Sequence, residues 1–350
     1  MKLDWSYFEQ TLVRPVRRVV KGVKILAVNR PRGFKQFMLS SLSMAVKSDR
    51  CLGLPVHITI EPLNVCDQKC PVCETGINKL RRPQGKMALE NFKKIIMMIR
   101  SHCNTLLFYF MGEPFLHPQS YEMIRYAKDQ GIPFISTCTN GNFVDAKKLV
   151  ACGIDEVHFQ IGGMTQKTHE VYRIGGDLEK AFKNLRETIA ERNRKKSKLR
   201  IVLGFIVMKH NEHEVEAARK FSEEVGVDVL HVINPRVLNW EQGKVYLPKD
   251  RRYWDYDYSL FERGVLKTKL VTDNRCNWIY YSTNIYWNGN VVPCCRDPTG
   301  KHVMGNVLEQ DLSEIWNNEH FRKFRSAIAT DQMSLTICRN CNSYPIPTLH

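Results

Sequence analysis

Seven of the twelve cysteines in this 350-residue chain fall into two sets whose spacing suits metal. Cys66-Asp-Gln-Lys-Cys70-Pro-Val-Cys73 places three thiols on one short segment, spaced C-x3-C-x2-C. Thiolates are the soft ligands of zinc and of iron–sulfur clusters. Structural zinc sites mostly come as paired C-x2-C units, so this spacing leans toward an iron–sulfur cubane, where three protein ligands leave one iron open. Cys276 and Cys294, followed by Cys338-Arg-Asn-Cys341, supply a second set of four. On spacing alone that closed set fits zinc and iron–sulfur equally. Cys51, Cys103, Cys138, Cys152 and Cys295 have no ligand-type spacing and read as buried small apolar side chains.

The elements that must position these thiols begin at His57, where short apolar strands start to alternate with helices. HITIE (57–61) leads into the first cysteine set, and further strands are expected at 106–111, 133–138, 156–161, 199–207 and 229–233. Helices are expected at 118–130, 144–151, 177–194 and 212–225. Such alternation implies an α/β fold with a parallel sheet and right-handed crossovers. A full eight-unit barrel takes ~31 residues per unit, and the span 57–235 therefore holds about six. The expectation is a partial (β/α)6 TIM barrel, with an open doubly wound sheet as the competitor. Beyond Pro235 the pattern changes: 236–275 is rich in Tyr, Trp and charge without a clear period. A hairpin follows at 282–295 around Asn288-Gly289, then a helix over 312–327. The expected division is a basic extension (1–55), the barrel (56–235) and a small C-terminal domain (236–350).

Composition narrows the class. With 43% apolar and 25% charged residues, the chain is an ordinary globular protein and neither collagen, coiled coil nor wholesale disorder. No apolar run approaches the ~20 residues of a spanning helix, and the N-terminus lacks a signal-peptide core. A reducing, cytoplasmic setting with free or metal-bound thiols is expected. The net charge of +16 is uneven: residues 1–50 hold 11 Lys/Arg and three Asp/Glu, giving +8. Segment 12–28 sorts apolar and basic side chains onto two faces, as in a basic amphipathic helix. That helix packs on the barrel with its basic face in solvent, makes peripheral contact with the inner face of a membrane, or contacts RNA or a leader peptide. No nucleic-acid-binding module is visible.

With C-x3-C-x2-C directly after the first strand of a six-unit barrel, the chain resembles the radical S-adenosylmethionine (radical SAM) enzymes. Met111-Gly112-Glu113-Pro114, at the end of the second strand, resembles the family's G-G-E-P motif, and Thr139-Asn140-Gly141 ends the third. Gln160, Gly162-Gly163 and Tyr172-Arg173 stand where the family shows S-x-D-G and a downstream Arg. The resemblance implies a [4Fe–4S] cluster on Cys66, Cys70 and Cys73, bound with SAM. It also implies SAM contacts from Met111, Gly112, Glu113, Pro114, Asn140, Gln160 and Arg173, with Glu113 accepting the methionine ammonium. The chain departs from the pattern at Met111 (for Gly), at Val72 (where an aromatic is common) and at Gln160 and Gly162 (for Ser and Asp). Cys276-x12-Gly289-x4-Cys294, with Val303–Val307, Leu312–Trp316 and Cys338-x2-Cys341, resembles the SPASM and twitch extensions of that family. With no cysteine after Cys341, one auxiliary [4Fe–4S] cluster on Cys276, Cys294, Cys338 and Cys341 is expected.

The implied activity is reductive cleavage of SAM to a 5′-deoxyadenosyl radical and hydrogen-atom abstraction from an organic substrate. The auxiliary cluster would support oxidation or radical rearrangement, dehydrogenase-like, on a lipid or small natural product. Flavodoxin or ferredoxin would supply electrons. The alternative enzyme is a modifier of a ribosomally made peptide, by cross-linking or epimerisation. The alternative of another class is a non-catalytic zinc/cysteine nucleic-acid-binding protein, which has no use for Glu113 at the end of a strand. His158, Lys209, His210 and Arg236 lie where a base would stand, each more often structural, and none is assigned. Cys295 beside a ligand reads as a packed neighbour ahead of a hydrogen-atom donor.

Overall fold

The computed structural model describes residues 31–269 and 273–341; the basic segment 12–28 lies outside them. In chain order the elements begin with α1 (Pro31–Ala45), β1 (His57–Ile60), α2 (Leu89–Ile99), β2 (Thr105–Leu107), α3 (Ser120–Asp129) and β3 (Phe134–Thr139). There follow α4 (Ala146–Ala151), β4 (Glu156–Ile161), α5 (Gln166–Tyr172), α6 (Leu178–Arg194), β5 (Arg200–Ile206), α7 (Val215–Val225) and β6 (Val229–Ile233). The remainder comprises α8 (Trp240–Tyr246), α9 (Tyr258–Glu262), α10 (Trp278–Tyr281), β7 (Ser282–Ile285), β8 (Asn290–Val292), β9 (Gly305–Asn306), α11 (Leu312–Trp316) and α12 (Glu319–Asp331). Among the described residues no helix is long and apolar enough to cross a membrane.

One sheet runs β6-β5-β4-β3-β2-β1-β7-β8-β9. Strands β1 to β6 pair in parallel, as the alternation with helices requires. β7 joins β1 in parallel, Thr59 opposite Asn284, and the hairpin then continues antiparallel. The C-terminal hairpin thus extends the barrel sheet beyond its first strand. Side chains alternate along each strand, and the two faces differ. Ile58, Ile60, Leu106, Phe108, Ile135, Val157, Phe159, Ile201, Leu203 and Phe205 are buried against the helices. The concave face carries His57, Thr59, Ser136, Cys138, Glu156, His158, Gln160 and Arg200 instead, several of them half-exposed. Apolar burial on the helix side, at ~25 cal/mol per Å², therefore holds the sheet while leaving its inner wall free for polar chemistry.

Local departures from the expected elements have local causes. β2 stops at Leu107 because Gly112 turns the chain at φ +124° and the Glu113 amide donates to Val65 O (2.9 Å). The helix expected over 312–327 is broken between α11 and α12. The Asn317 side chain is tied to both backbone groups of Cys51 (2.9 and 2.8 Å), and Asn318 caps α12 by accepting from the Phe321 amide (3.0 Å). A second, smaller core joins Tyr172 and Met208 to Val237, Leu247, Trp254 and Tyr256, with Cys70 and Val72 against it. Segment 236–256 therefore packs on the first cysteine loop.

Candidate active site

The first cysteine loop leaves β1 through Glu61, whose carboxylate is wholly buried and held by a two-pronged ion pair with Arg82 (2.7 and 2.5 Å). Arg82 in turn lies over the Tyr286 ring at 4.0 Å, which ties the loop to the C-terminal hairpin. A Leu63–Lys86 bridge closes the loop at its neck. Cys66 and Cys73 are half-buried and Cys70 is buried. The Gln68 amide donates to Cys66 Sγ (3.5 Å), Arg173 Nη1 to Cys70 Sγ (3.8 Å), and the Cys73 amide to Cys70 O (3.2 Å). Burial pushes the Cys66 and Cys70 thiols up, and the Arg173 guanidinium counters this at Cys70. Three thiols on one loop with an adjacent buried guanidinium fit an anionic cluster with one open iron. Two buried nitrogens nearby, Arg173 Nε and His169 Nε2, have no hydrogen-bond partner among the described residues. Unsatisfied buried donors of this kind fit a site completed by polar groups of a bound cofactor.

The rim around the loop is assembled by Glu113. Its Oε1 accepts from Thr139 Oγ1 (2.7 Å) and the Phe115 amide (3.2 Å), and its Oε2 from the Asn140 amide (2.7 Å). Asn140 Nδ2 donates to Asp67 Oδ1 (2.7 Å), inside the cysteine loop. Burial pushes the Glu113 carboxyl up to about 7, against those three donors. A Cβ on Gly112 would meet Leu63 O at 2.7 Å and Val65 O at 2.8 Å, so the close approach and the positive φ both demand glycine. The structure thus brings Met111, Gly112, Glu113, Pro114, Asn140 and Arg173 to the cysteine loop. Gln160 is not on that rim but on the concave face of β4 within the barrel, hydrogen-bonded to Cys138 and packed where any Cβ at Gly204 would sit. Asp67 and His169 carry no motif of their own. Only Asp67's place between two cysteines could have flagged it.

The thiols of the second set lie within electrostatic reach of one another, although among the described residues no group of three or more His, Cys, Asp or Glu side chains is placed to hold a metal ion. Burial raises Cys276 to about 11, with Cys341 and Cys295 adding to it. Burial raises Cys338 to about 12, with Cys276 and Cys341 adding to it. Cys294 is raised by a hydrogen bond with Cys295, then by burial and by Cys276. Each of the four thus feels at least one other thiol, and the Cys341 amide donates to Cys338 O (3.1 Å). Of the five remaining cysteines, Cys51, Cys103 and Cys152 are buried as expected. Cys138 and Cys295 are not: both are half-buried and hydrogen-bonded beside the two candidate centres.

Residues 60–222 match the radical SAM superfamily, and residues 276–342 match the SPASM iron–sulfur cluster-binding domain. The chain belongs to the radical SAM enzymes. A tungsten-containing aldehyde ferredoxin oxidoreductase cofactor-modifying protein of Pyrococcus furiosus is 24% identical, over 82% of this chain and 87% of that protein. The SAM-dependent 2-deoxy-scyllo-inosamine dehydrogenase of Niallia circulans is 22% identical, over 83% and 94%. Streptococcus suis SuiB, solved with bound SAM, has the same fold at a TM-score of 0.62 and 14% identity, over 96% of this chain and 84% of that one. As a radical SAM enzyme with a SPASM domain, the protein uses a [4Fe–4S] cluster with SAM, and auxiliary iron–sulfur chemistry beside it.

For this radical SAM enzyme the four residues standing where a base would be have different places. Lys209 is exposed, with Nζ on Lys244 O (3.4 Å). His210 lies against Gly162 O (3.3 Å), and Arg236 is an exposed partner of Glu74 (3.7 Å). His158 alone stands on the concave wall of the sheet, against the Glu156 carboxylate (2.7 Å).

Proposed function

We propose that Cys66, Cys70 and Cys73 hold the SAM-bound [4Fe–4S] cluster, and that Cys276, Cys294, Cys338 and Cys341 hold one auxiliary [4Fe–4S] cluster. The observation that carries this reading is the Asn140–Asp67 bond (2.7 Å), which fixes the cysteine loop to the Glu113 turn on one rim. When bound, the cluster and SAM supply a 5′-deoxyadenosyl radical able to take a hydrogen atom from carbon. The chain's own residues do the positioning. Arg173 steadies negative charge at Cys70. Glu113, with Met111, Gly112, Pro114 and Asn140, receives the amino-acid end of SAM, and Gln160 receives its sugar side. Tyr172, Trp254 and Tyr256 cover the loop and exclude water. The working division is a barrel over 56–235 and a cluster domain over 236–350. The reaction is a dehydrogenase-like oxidation or a radical rearrangement, fed by flavodoxin or ferredoxin in a cytoplasmic setting. An anaerobic preparation should hold roughly eight irons per chain, four per cubane. Cys70→Ala and Cys294→Ala should each lose about half, from different clusters by electron paramagnetic resonance. Unchanged iron in either variant would contradict the assignment.

We also propose peripheral attachment to anionic lipid through residues 1–50. It is supported by exposed apolar Met38 and Leu42 on α1 and Val46 just after it (51%, 55% and 69% exposed), within the first fifty residues, whose net charge is +8. Basic residues near an anionic leaflet contribute about 1 kcal/mol each. The full chain should sediment with phosphatidylserine vesicles in a salt-sensitive way, and substitution of the three apolar residues by Ser should release it. Equal sedimentation of both forms would reject the attachment.

A further inference from the structure

The concave wall of the barrel carries a proton-accepting pair that neither cysteine set uses. His158 and Glu156 are two residues apart on β4, so their side chains share a face. His158 Nε2 lies 2.7 Å from Glu156 Oε1. The Glu156 carboxylate is itself clamped: Ser136 Oγ donates to Oε1 (3.2 Å), and Arg200 Nη1 to Oε2 (3.1 Å). Arg200 can only donate, and a guanidinium at this distance favours the charged form of the carboxylate, which then can only accept. The shared proton therefore sits on Nε2, and Nδ1 is left as the acceptor. No described residue bonds to Nδ1. The imidazole is 17% exposed while the carboxylate behind it is 3% exposed, so the ring opens into the barrel and its anchor does not.

The surroundings specify what would meet that nitrogen. Cys138 on β3 and Val202 on β5 are the cross-strand neighbours of His158, and the His231 ring stands 6.5 Å from it. Gln160 lies two residues further along the same face, ~6.6 Å toward the strand ends. The wall beside His158 is thus mixed, apolar at Val202 and polar at His231 and Gln160.

We propose that His158 is the proton acceptor for a substrate that bears a hydroxyl on the carbon losing hydrogen, and that Glu156 is its positioning residue. This rests on the radical SAM reading above. Loss of a hydrogen atom from a carbon bearing a hydroxyl leaves a radical whose O–H is more acidic than the parent alcohol's. That O–H bond breaks, its electron pair stays on oxygen, and the proton moves to Nδ1. The imidazolium so formed is held by the Glu156 carboxylate, and no electron leaves the substrate in this step.

The test is carbethoxylation of the cluster-loaded full chain by diethyl pyrocarbonate, with each histidine followed by peptide mass. His158 should react on the order of 100-fold faster than the wholly buried His169, which reacts only through local opening. Glu156→Gln should slow His158 severalfold at unchanged iron content, and Glu156→Asp should restore part of the rate. Reaction of His158 no faster than His169, or a rate indifferent to Glu156→Gln, would overturn the proposal. Iron content and 5′-deoxyadenosine release measured on the same preparation separate the two readings. Both present with an inert His158 defeats the pair alone, and both absent defeats the enzyme reading beneath it.

Discussion

Glu113 is the residue on which most of the site depends, and its charge state has a measurable consequence. It is a buried carboxyl whose folded value is pushed up to about 7 from 4.5 by burial. Between those two values the folded chain binds a proton that the unfolded chain has released. Stability from this group is therefore full below about pH 4.5 and is lost as pH rises to about 7, by roughly 3 kcal/mol in all. In SAM-free protein, the wild type should lose ground to Glu113→Gln by about that amount between pH 5 and 8, read from urea midpoints. A difference that stays constant with pH would mean that Glu113 is ionised throughout. Burial of this kind was not legible in the chain: Gly112-Glu113-Pro114 marks a motif, but only the fold reveals that Thr139, Phe115 and Asn140 saturate the carboxylate. His158 is a contrasting case. Its shared face with Glu156 follows from the period of a strand, whereas Arg200, 44 residues away, does not.

At the scale of elements, the Glu61–Arg82 pair fastens the cysteine loop to the end of β1, and Arg82 carries the joint on to the C-terminal part through the Tyr286 ring (4.0 Å) and Pro298 O (2.7 Å). Both side chains are out of solvent, 0% and 9% exposed. Removing one partner of a buried pair costs about 3–5 kcal/mol, because the other charge is stranded, while replacing both by apolar residues is often near neutral. Arg82→Met should therefore lower urea stability by about that amount, and Arg82→Met with Glu61→Leu should recover most of it. Equal losses in the single and double variants would show that the Arg82 contacts with Tyr286 and Pro298, and not the stranded Glu61 charge, set the cost. Six strands alternating with helices could be read from apolar periodicity, and the strands lie within a few residues of expectation. Six helices were not expected: α1, α2, α5, α8, α9 and α10. The spacing of Phe92, Ile95, Ile96 and Ile99 could have shown α2, whereas α5, α8, α9 and α10 are each too short to carry a helical period. The pairing of β7 with β1 was hidden for a different reason, since register between strands more than 200 residues apart is a property of packing.

For the whole molecule, the continuous sheet puts the two cysteine sets at separate places on one frame, the first above the strand ends of the barrel and the second beyond the hairpin that extends it. Both sets could be recognised from spacing, because metal ligation requires particular residue types at short separations. Their relation in space could not, nor could the second core that folds 236–256 over the first loop. The central claim is that the first set, and not the second, drives SAM cleavage. It is tested most directly by 5′-deoxyadenosine release from SAM under reductant, comparing the wild type with Cys66→Ala. The prediction is release by the wild type and none by the variant, which keeps its auxiliary iron. A colourless wild type with stoichiometric zinc, or equal release by both proteins, would contradict it.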